Sequence, residues 1–313
     1  MVRTMKVAER VTDKALAYLD QRKTGRFFLF LHYWDPHYDY NPPKRYVDLF
    51  DPDYDGSMDG MNIRYRDDLT PTMNPRDLEH LLALYDGEIR YTDDHIGRFL
   101  DGLASRGLAD TTMVVVTSDH GEEFLEHGWK GHTNHCYEET ARVPLIVRVP
   151  WIETKAPAVT RLAGHPVILP TVLDALEVDG EGITLQGRSL VPLLAGRSAR
   201  PRTAVICRTR YGHTAPPLAS VGAWNTLIAR AGMKLHRYGR DGAKATELYN
   251  VTRDPGEKTN LADVEKATAI KLTRRLDKSL AKQKREGRST RLERRGKLKR
   301  ATRRVLKSLG YTQ

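Results

Sequence analysis

The sequence has little cysteine. It holds two, Cys136 and Cys207, and no C-x-x-C pair. Two isolated thiols cannot build the disulfide framework of a small secreted domain. They read as unbridged, buried thiols in a reducing compartment. Long apolar runs are missing too: no stretch reaches the roughly 18 residues that a membrane-spanning helix needs. The segment Met1-Val2-Arg3-Thr4-Met5-Lys6-Val7 lacks the apolar core of a secretory leader. A cytoplasmic location is the expectation from these absences. The body of the chain also lacks positive charge. The net charge is +11, but residues 266–313 hold 18 Lys/Arg against 3 Asp/Glu. That tail carries +15, which leaves −4 for everything before it. A mildly acidic body has no basic footprint for nucleic acid. In the tail, over residues 264–313, Ile270, Leu272, Leu276 and Leu280 suggest one amphipathic helix; a solvated helix or disorder is the expectation, with contact to an anionic polymer or membrane surface as the minority reading.

What is present fits an α/β protein. The 313 residues suffice for one large domain with an appendage. Residues 5–22 carry Val7, Val11, Ala15, Leu16 and Leu19 at helical spacing. Residues 27–31, Phe-Phe-Leu-Phe-Leu, form a continuous apolar run, which predicts a strand buried on both faces of a parallel sheet. A proline-, aromatic- and histidine-rich loop follows, from His32 to Pro43. Residues 44–75 show little periodicity and read as a long, partly irregular excursion. Pro75 to about Gly107 is the clearest helix, with Asn74 as its cap and Pro75 at its first position. Its acidic residues Asp86, Glu88, Asp93 and Asp94 read as braces on a crossover helix.

The densest chemistry lies between two β-branched runs, residues 113–116 and 143–149. The loop between them contains Asp119, His120, Glu122, Glu123, Glu126, His127, His132 and His135. Ligands in open α/β sheets bind beyond the carboxyl ends of strands, where this loop starts. A carboxylate beside an imidazole there can hold a metal ion. Asp119-His120-Gly121 alone is as readily a polar turn after a strand. Further on, residues 165–176 suggest a short strand, a turn and a helix. From Arg202 the pattern shifts to short strands at residues 203–207, 224–229, 233–238 and 247–251, with hairpins at Ala231-Gly232 and residues 239–242. The expected divisions are residues 1–200, 201–263 and 264–313.

The motifs in their order resemble the sulfatases of the alkaline phosphatase superfamily. They run T-S-D-H-G-E-E-F, E-H-G, G-H-T and Y-E-E-x-x-R-V-P-L-I-V over residues 117–147. F-F-L-F-L-H-Y-x-D-P-H precedes them, G-x-S-L-x-P-L-L-x-G starts at Gly187, and E-L-Y-N-V-x-x-D-P at Glu247. The resemblance covers about residues 7–263. It implies an alkaline-phosphatase-like α/β sandwich with a mainly parallel central sheet and a small C-terminal antiparallel subdomain. The Glu247 motif would be a turn docking that subdomain.

The resemblance also implies roles. Asp119 and His120 match the family's late metal pair, so they would hold a divalent cation. Ca²⁺ is the family expectation. An imidazole ligand also suits Mn²⁺, Fe²⁺ or Zn²⁺. His37 matches the histidine beside the leaving-group oxygen and His132 a residue that binds the ester's charged oxygens, with Lys130 as a neighbouring candidate. The implied activity is hydrolysis of a sulfate ester on a small molecule, glycan or lipid. The family's C-x-P-x-R or S-x-P-x-R nucleophile motif is absent: Cys136 precedes Tyr-Glu-Glu and Cys207 precedes Arg-Thr-Arg. The expectation is therefore a chain lacking the N-terminal part of the family fold, inactive by itself and completed by a further segment or subunit. Two other readings stay open, a phosphodiester or phosphonate monoester hydrolase and a non-catalytic fragment whose basic tail binds anions.

Overall fold

The computed structural model describes residues 6–22, 25–132, 134–155, 158–180, 183–197, 204–210, 223–239 and 245–294. The chain divides into two compact units, Met1–Arg202 and Thr203–Gln313. No helix among the described residues is long and apolar enough to cross a membrane.

The first unit is built on two long helices. α1, Val7–Gln21, buries Ala8, Thr12, Ala15 and Leu19, one residue per turn. α2 spans Lys44–Phe50. α3, Pro75–Ser105, is capped by the Asn74 side chain, which accepts from Arg76 N at 3.0 Å. Gly102 lets α1 close on α3, since a Cβ there would sit 2.2 Å from Leu16. Tyr46 of α2 packs edge-on against Tyr91 and donates to Asp94 at 2.9 Å. Residues 44–75 are less loose than their composition suggests. They contribute Met58, Ile63 and Leu69 to a core with Tyr40, Leu81, Leu84 and Phe124. Apolar residues spaced by turns fill a core without periodicity, which hides them from pattern reading.

The strands of this unit are β1 (Val114–Thr117), β2 (Glu123–Phe124), β3 (Lys130–Gly131) and β4 (Leu145–Arg148). β1 pairs antiparallel with β4, from Val114 opposite Arg148 to Thr117 opposite Leu145. β2 and β3 form a small antiparallel hairpin. The α/β class holds, but every ladder among the described residues is antiparallel. The expected buried parallel strand at residues 27–31 joins no ladder. Within it Phe28 and Phe30 are 83% and 79% exposed. An apolar run reports a preference for burial, and burial here needs neighbouring strands that this segment lacks. Residues 165–176 differ too. A 3₁₀ turn, His165–Val167, runs directly into α5, Ile168–Ala175, with no strand. α4 (Glu138–Ala141) and α6 (Val191–Leu194) are single turns. Gly187, which opens the motif before α6, approaches the Pro166 carbonyl so closely that a Cβ would sit 1.6 Å from it.

The second unit is a four-stranded antiparallel sheet in the order β5-β6-β7-β8. Its strands are Ala204–Arg210, Ala223–Ala229, Met233–Tyr238 and Ala245–Asn250. The turn at Ala231-Gly232 has positive φ at both residues, 60° and 73°, as a tight hairpin demands. The other expected hairpin falls largely in 240–244, outside the described residues. α7, Lys266–Arg294, lays Ala269, Leu272 and Leu276 on Leu227, Leu235 and Leu248 of the sheet. The start of the basic tail is thus a packed helix, with Ile270 turned outward; residues 295–313 lie outside the described residues. Cys136 is buried and Cys207 half-buried, and no disulfide joins them. The Glu247 motif closes on its own sheet. Asn260 Oδ1 accepts from Leu248 N at 3.1 Å, and the buried Glu257 takes Lys234 at 3.0 Å and His236 at 2.8 Å.

Two predictions follow from these buried charges. Glu257→Gln removes the buried carboxylate that Lys234 and His236 share, and should cost about 3–5 kcal/mol in urea unfolding of the second unit. Glu88 is 4% exposed, and burial pushes its carboxyl up to about 8. A raised acid gives stability that is complete below its ordinary value near 4.5 and is lost as pH rises through about 8. Glu88→Gln should flatten that alkaline loss, raising Tm at pH 8.5 relative to the parent by on the order of a few degrees.

Candidate active site

The loop from Ser118 to Pro144 is held by backbone contacts before any side chain acts. Gly121 N donates to Thr140 O at 2.9 Å, and a Cβ at Gly121 would meet the Glu139 carbonyl at 2.0 Å. This close approach is why the residue after Asp119-His120 is glycine. His165 Nε2 reaches the Ser118 carbonyl at 2.7 Å and fixes the start of the loop.

Three histidines then meet. His120 stacks on His132, with ring centres 3.9 Å apart and 19° between planes. His37 meets His132 edge-on at 5.0 Å. Each uses Nδ1 on an oxygen. His37 Nδ1 lies 2.7 Å from Tyr38 O, His120 Nδ1 2.8 Å from Gly121 O, and His132 Nδ1 3.0 Å and 3.1 Å from the two Glu122 oxygens. Carbonyls and carboxylates only accept, so each Nδ1 carries hydrogen and Nε2 is the nitrogen left for ligands. Burial pushes the His37 imidazole below its usual value, and the neighbouring His132 and His120 add to this.

Asp119 and His120 suit a shared cation. His120 Nε2 lies 3.7 Å from Asp119 Oδ2, near the roughly 3–3.5 Å that separates adjacent ligands on one ion. Both are reachable, with side chains 79% and 38% exposed. Lys130 is placed otherwise. Its ammonium donates to the Arg66 carbonyl, and burial pushes its pKa down. The geometry joins His37, His120, His132 and Asp119, and turns Lys130 elsewhere.

Sequence reading passes over Glu122. Its side chain is 3% exposed and fixes His132 through both oxygens. The buried Tyr40 hydroxyl also bonds to it; burial first, and Glu122 second, raise that phenol's pKa. The only hint in the sequence is a carboxylate three residues beyond Asp119, and it looks like any loop glutamate.

A second acidic group looks metal-like. Glu123, His135 and Glu139 bring ligand-type atoms within 4.8 Å of one another. Their hydrogen bonds argue for a brace. Tyr137 N donates to His135 Nδ1 at 3.3 Å. The His135 proton therefore sits on Nε2, which faces Glu123. The other Glu123 oxygen accepts from His127 N and Trp129 N, both at 2.9 Å. Glu139 takes His127 Nδ1 at 2.7 Å and so anchors the loop.

Comparison with known proteins decides the family. The sulfatase family model matches residues 5–178, more than half of the chain. The chain belongs to the sulfatase family. A second model, described as N-sulphoglucosamine sulphohydrolase, C-terminal, matches residues 125–286. This sulfatase chain is 26% identical over 271 residues to an arylsulfatase of Clostridium perfringens, covering 82% of the chain and 53% of that relative. It therefore spans about half the length of that curated relative. A solved protein in complex with its substrate D-glucosamine-2-N,6-O-disulfate superposes with a TM-score of 0.70 at 22% identity, covering 90% of this chain and 70% of that one. The phosphonate monoester hydrolase of Agrobacterium radiobacter gives 0.67 at 22%, covering 88% and 60%. Both show the alkaline-phosphatase-like fold. Sulfatases as a family use a divalent metal.

If Asp119 and His120 form the ion site, Asp119→Ala should weaken Mn²⁺ binding at least about tenfold by calorimetry. Glu139→Gln, in the brace, should leave that binding unchanged.

Proposed function

We propose that this chain carries the metal-pair and leaving-group half of a sulfate ester hydrolase. The observation that carries the reading is the packing of His37, His132 and His120 beside Asp119, with each imidazole turned to leave Nε2 open. A divalent ion on Asp119 and His120 would supply Lewis-acid polarisation of the ester. Ca²⁺ is the family choice, and the imidazole ligand also suits Mn²⁺ or Zn²⁺. Glu122 holds His132 with Nε2 toward the ester's charged oxygens. An approaching anion favours the imidazolium form of His37. Its Nε2–H can then donate to the departing oxygen, because Nδ1 is already spent on Tyr38 O.

The nucleophile belongs to a C-x-P-x-R or S-x-P-x-R segment, which this sequence does not contain. The substrate reading, a sulfate ester of a small molecule or glycan, is supported by the arylsulfatase relative and by the disulfated glucosamine bound in the similar structure. Among the described residues β1 and β4 pair only with each other, which accords with a partner segment completing the sheet.

Binding and turnover separate in the test. With a divalent ion added, the chain should bind inorganic sulfate by calorimetry and should not hydrolyse p-nitrophenyl sulfate. His132→Ala should weaken sulfate binding about tenfold or more, the loss of a hydrogen bond to a charged group. Metal-dependent turnover by this chain, lost in both Asp119→Ala and His37→Ala, would contradict the half-site. Faster turnover of a phosphonate monoester than of a sulfate ester would move it to the phosphonate class.

A further inference from the structure

We propose that Trp34 forms the wall of the leaving-group subsite and selects esters whose leaving group carries a six-membered ring with an apolar face. The proposal rests on the reading of His37 as the residue beside the departing oxygen. Trp34 stacks on His37 with ring centres 4.6 Å apart and 29° between planes. His32 closes its edge at 5.3 Å. The indole is nevertheless 50% exposed, so a large apolar ring stands open next to the catalytic imidazole.

The backbone fixes this position. His37 N donates to Trp34 O at 3.1 Å, closing a turn through Asp35 and Pro36. The Asp35 carboxylate, 8% exposed, accepts from Val7 N at 2.8 Å and ties the turn to the start of α1. Trp34 and His37 are therefore set relative to each other before a ligand arrives. An ester oxygen at His37 Nε2 places whatever it is attached to beside the indole. Rings prefer offset or edge contacts with such a surface, each worth a modest gain. Phe28 and Phe30 are exposed a few residues earlier in the chain. Of these three exposed rings, Trp34 is the one that stacks on His37.

Aryl and pyranose rings share the needed face, and the experiment separates them. The full chain with added Mn²⁺ is titrated by calorimetry with inorganic sulfate, methyl sulfate, p-nitrophenyl sulfate and glucosamine 6-sulfate. The parent should bind at least one ring ester about three- to tenfold more tightly than methyl sulfate. Trp34→Ala should erase that gap and leave inorganic sulfate unchanged, while Trp34→Phe should keep most of the gap. The ester that shows the gap names the ring, aryl or sugar. An equal gap in parent and Trp34→Ala, with matching circular dichroism, overturns the proposal, and so does a parent with no gap. A parent that binds no inorganic sulfate overturns the half-site, and this proposal with it.

Discussion

Two neighbouring buried carboxylates, Glu122 and Glu123, hold this site together. Adjacent residues in an extended segment point to opposite sides, and here the two sides have different work. Glu122 takes His132 and sets which nitrogen the site presents. Glu123, 1% exposed, gathers His127 N, Trp129 N and His135 and holds the hairpin loop closed. A buried carboxylate is costly unless its oxygens are satisfied. Glu123 meets that condition with donors from its own loop, and Glu122 with His132 of the loop and the Tyr40 hydroxyl, so the loop has little freedom to open without stranding a carboxylate. The order of His120 on His132, and of His132 against His37, follows from this bracing.

Tautomer choice links the bracing to chemistry. An imidazole with Nδ1 bound to an oxygen offers its far nitrogen, and three of them here do so. His135 has the opposite arrangement, with Nδ1 accepting from Tyr137 N. Clusters of similar composition, a few residues apart in the loop, are thereby suited to different tasks. Residue type and spacing are the same kind of signal in both, and hydrogen-bond direction separates them.

Much of the helical architecture is legible in the sequence. α1, α3 and the strands from β5 to β7 follow from spacing and turn residues, and Asn74 caps the helix that its position suggests. The Asp119-His120 loop is legible because its motifs occur in order. What fails is informative. Residues 27–31 read as a buried strand because apolar runs encode a demand for burial, while the supply of neighbouring strands is written elsewhere. Residues 44–75 read as loose because core residues separated by turns carry no period. Lys130 is a substrate-ligand candidate by resemblance alone, and its contact with a carbonyl 64 positions away is not visible in the sequence. Glu122 is missed for the converse reason: its importance lies entirely in what it touches.

The most direct measurement is a crystal structure of the chain with Mn²⁺ and inorganic sulfate. Anomalous density for the ion is expected at Asp119 and His120, and sulfate against His37 and His132. An ion seated instead among Glu123, His135 and Glu139, or sulfate bound away from the histidines, would contradict the half-site.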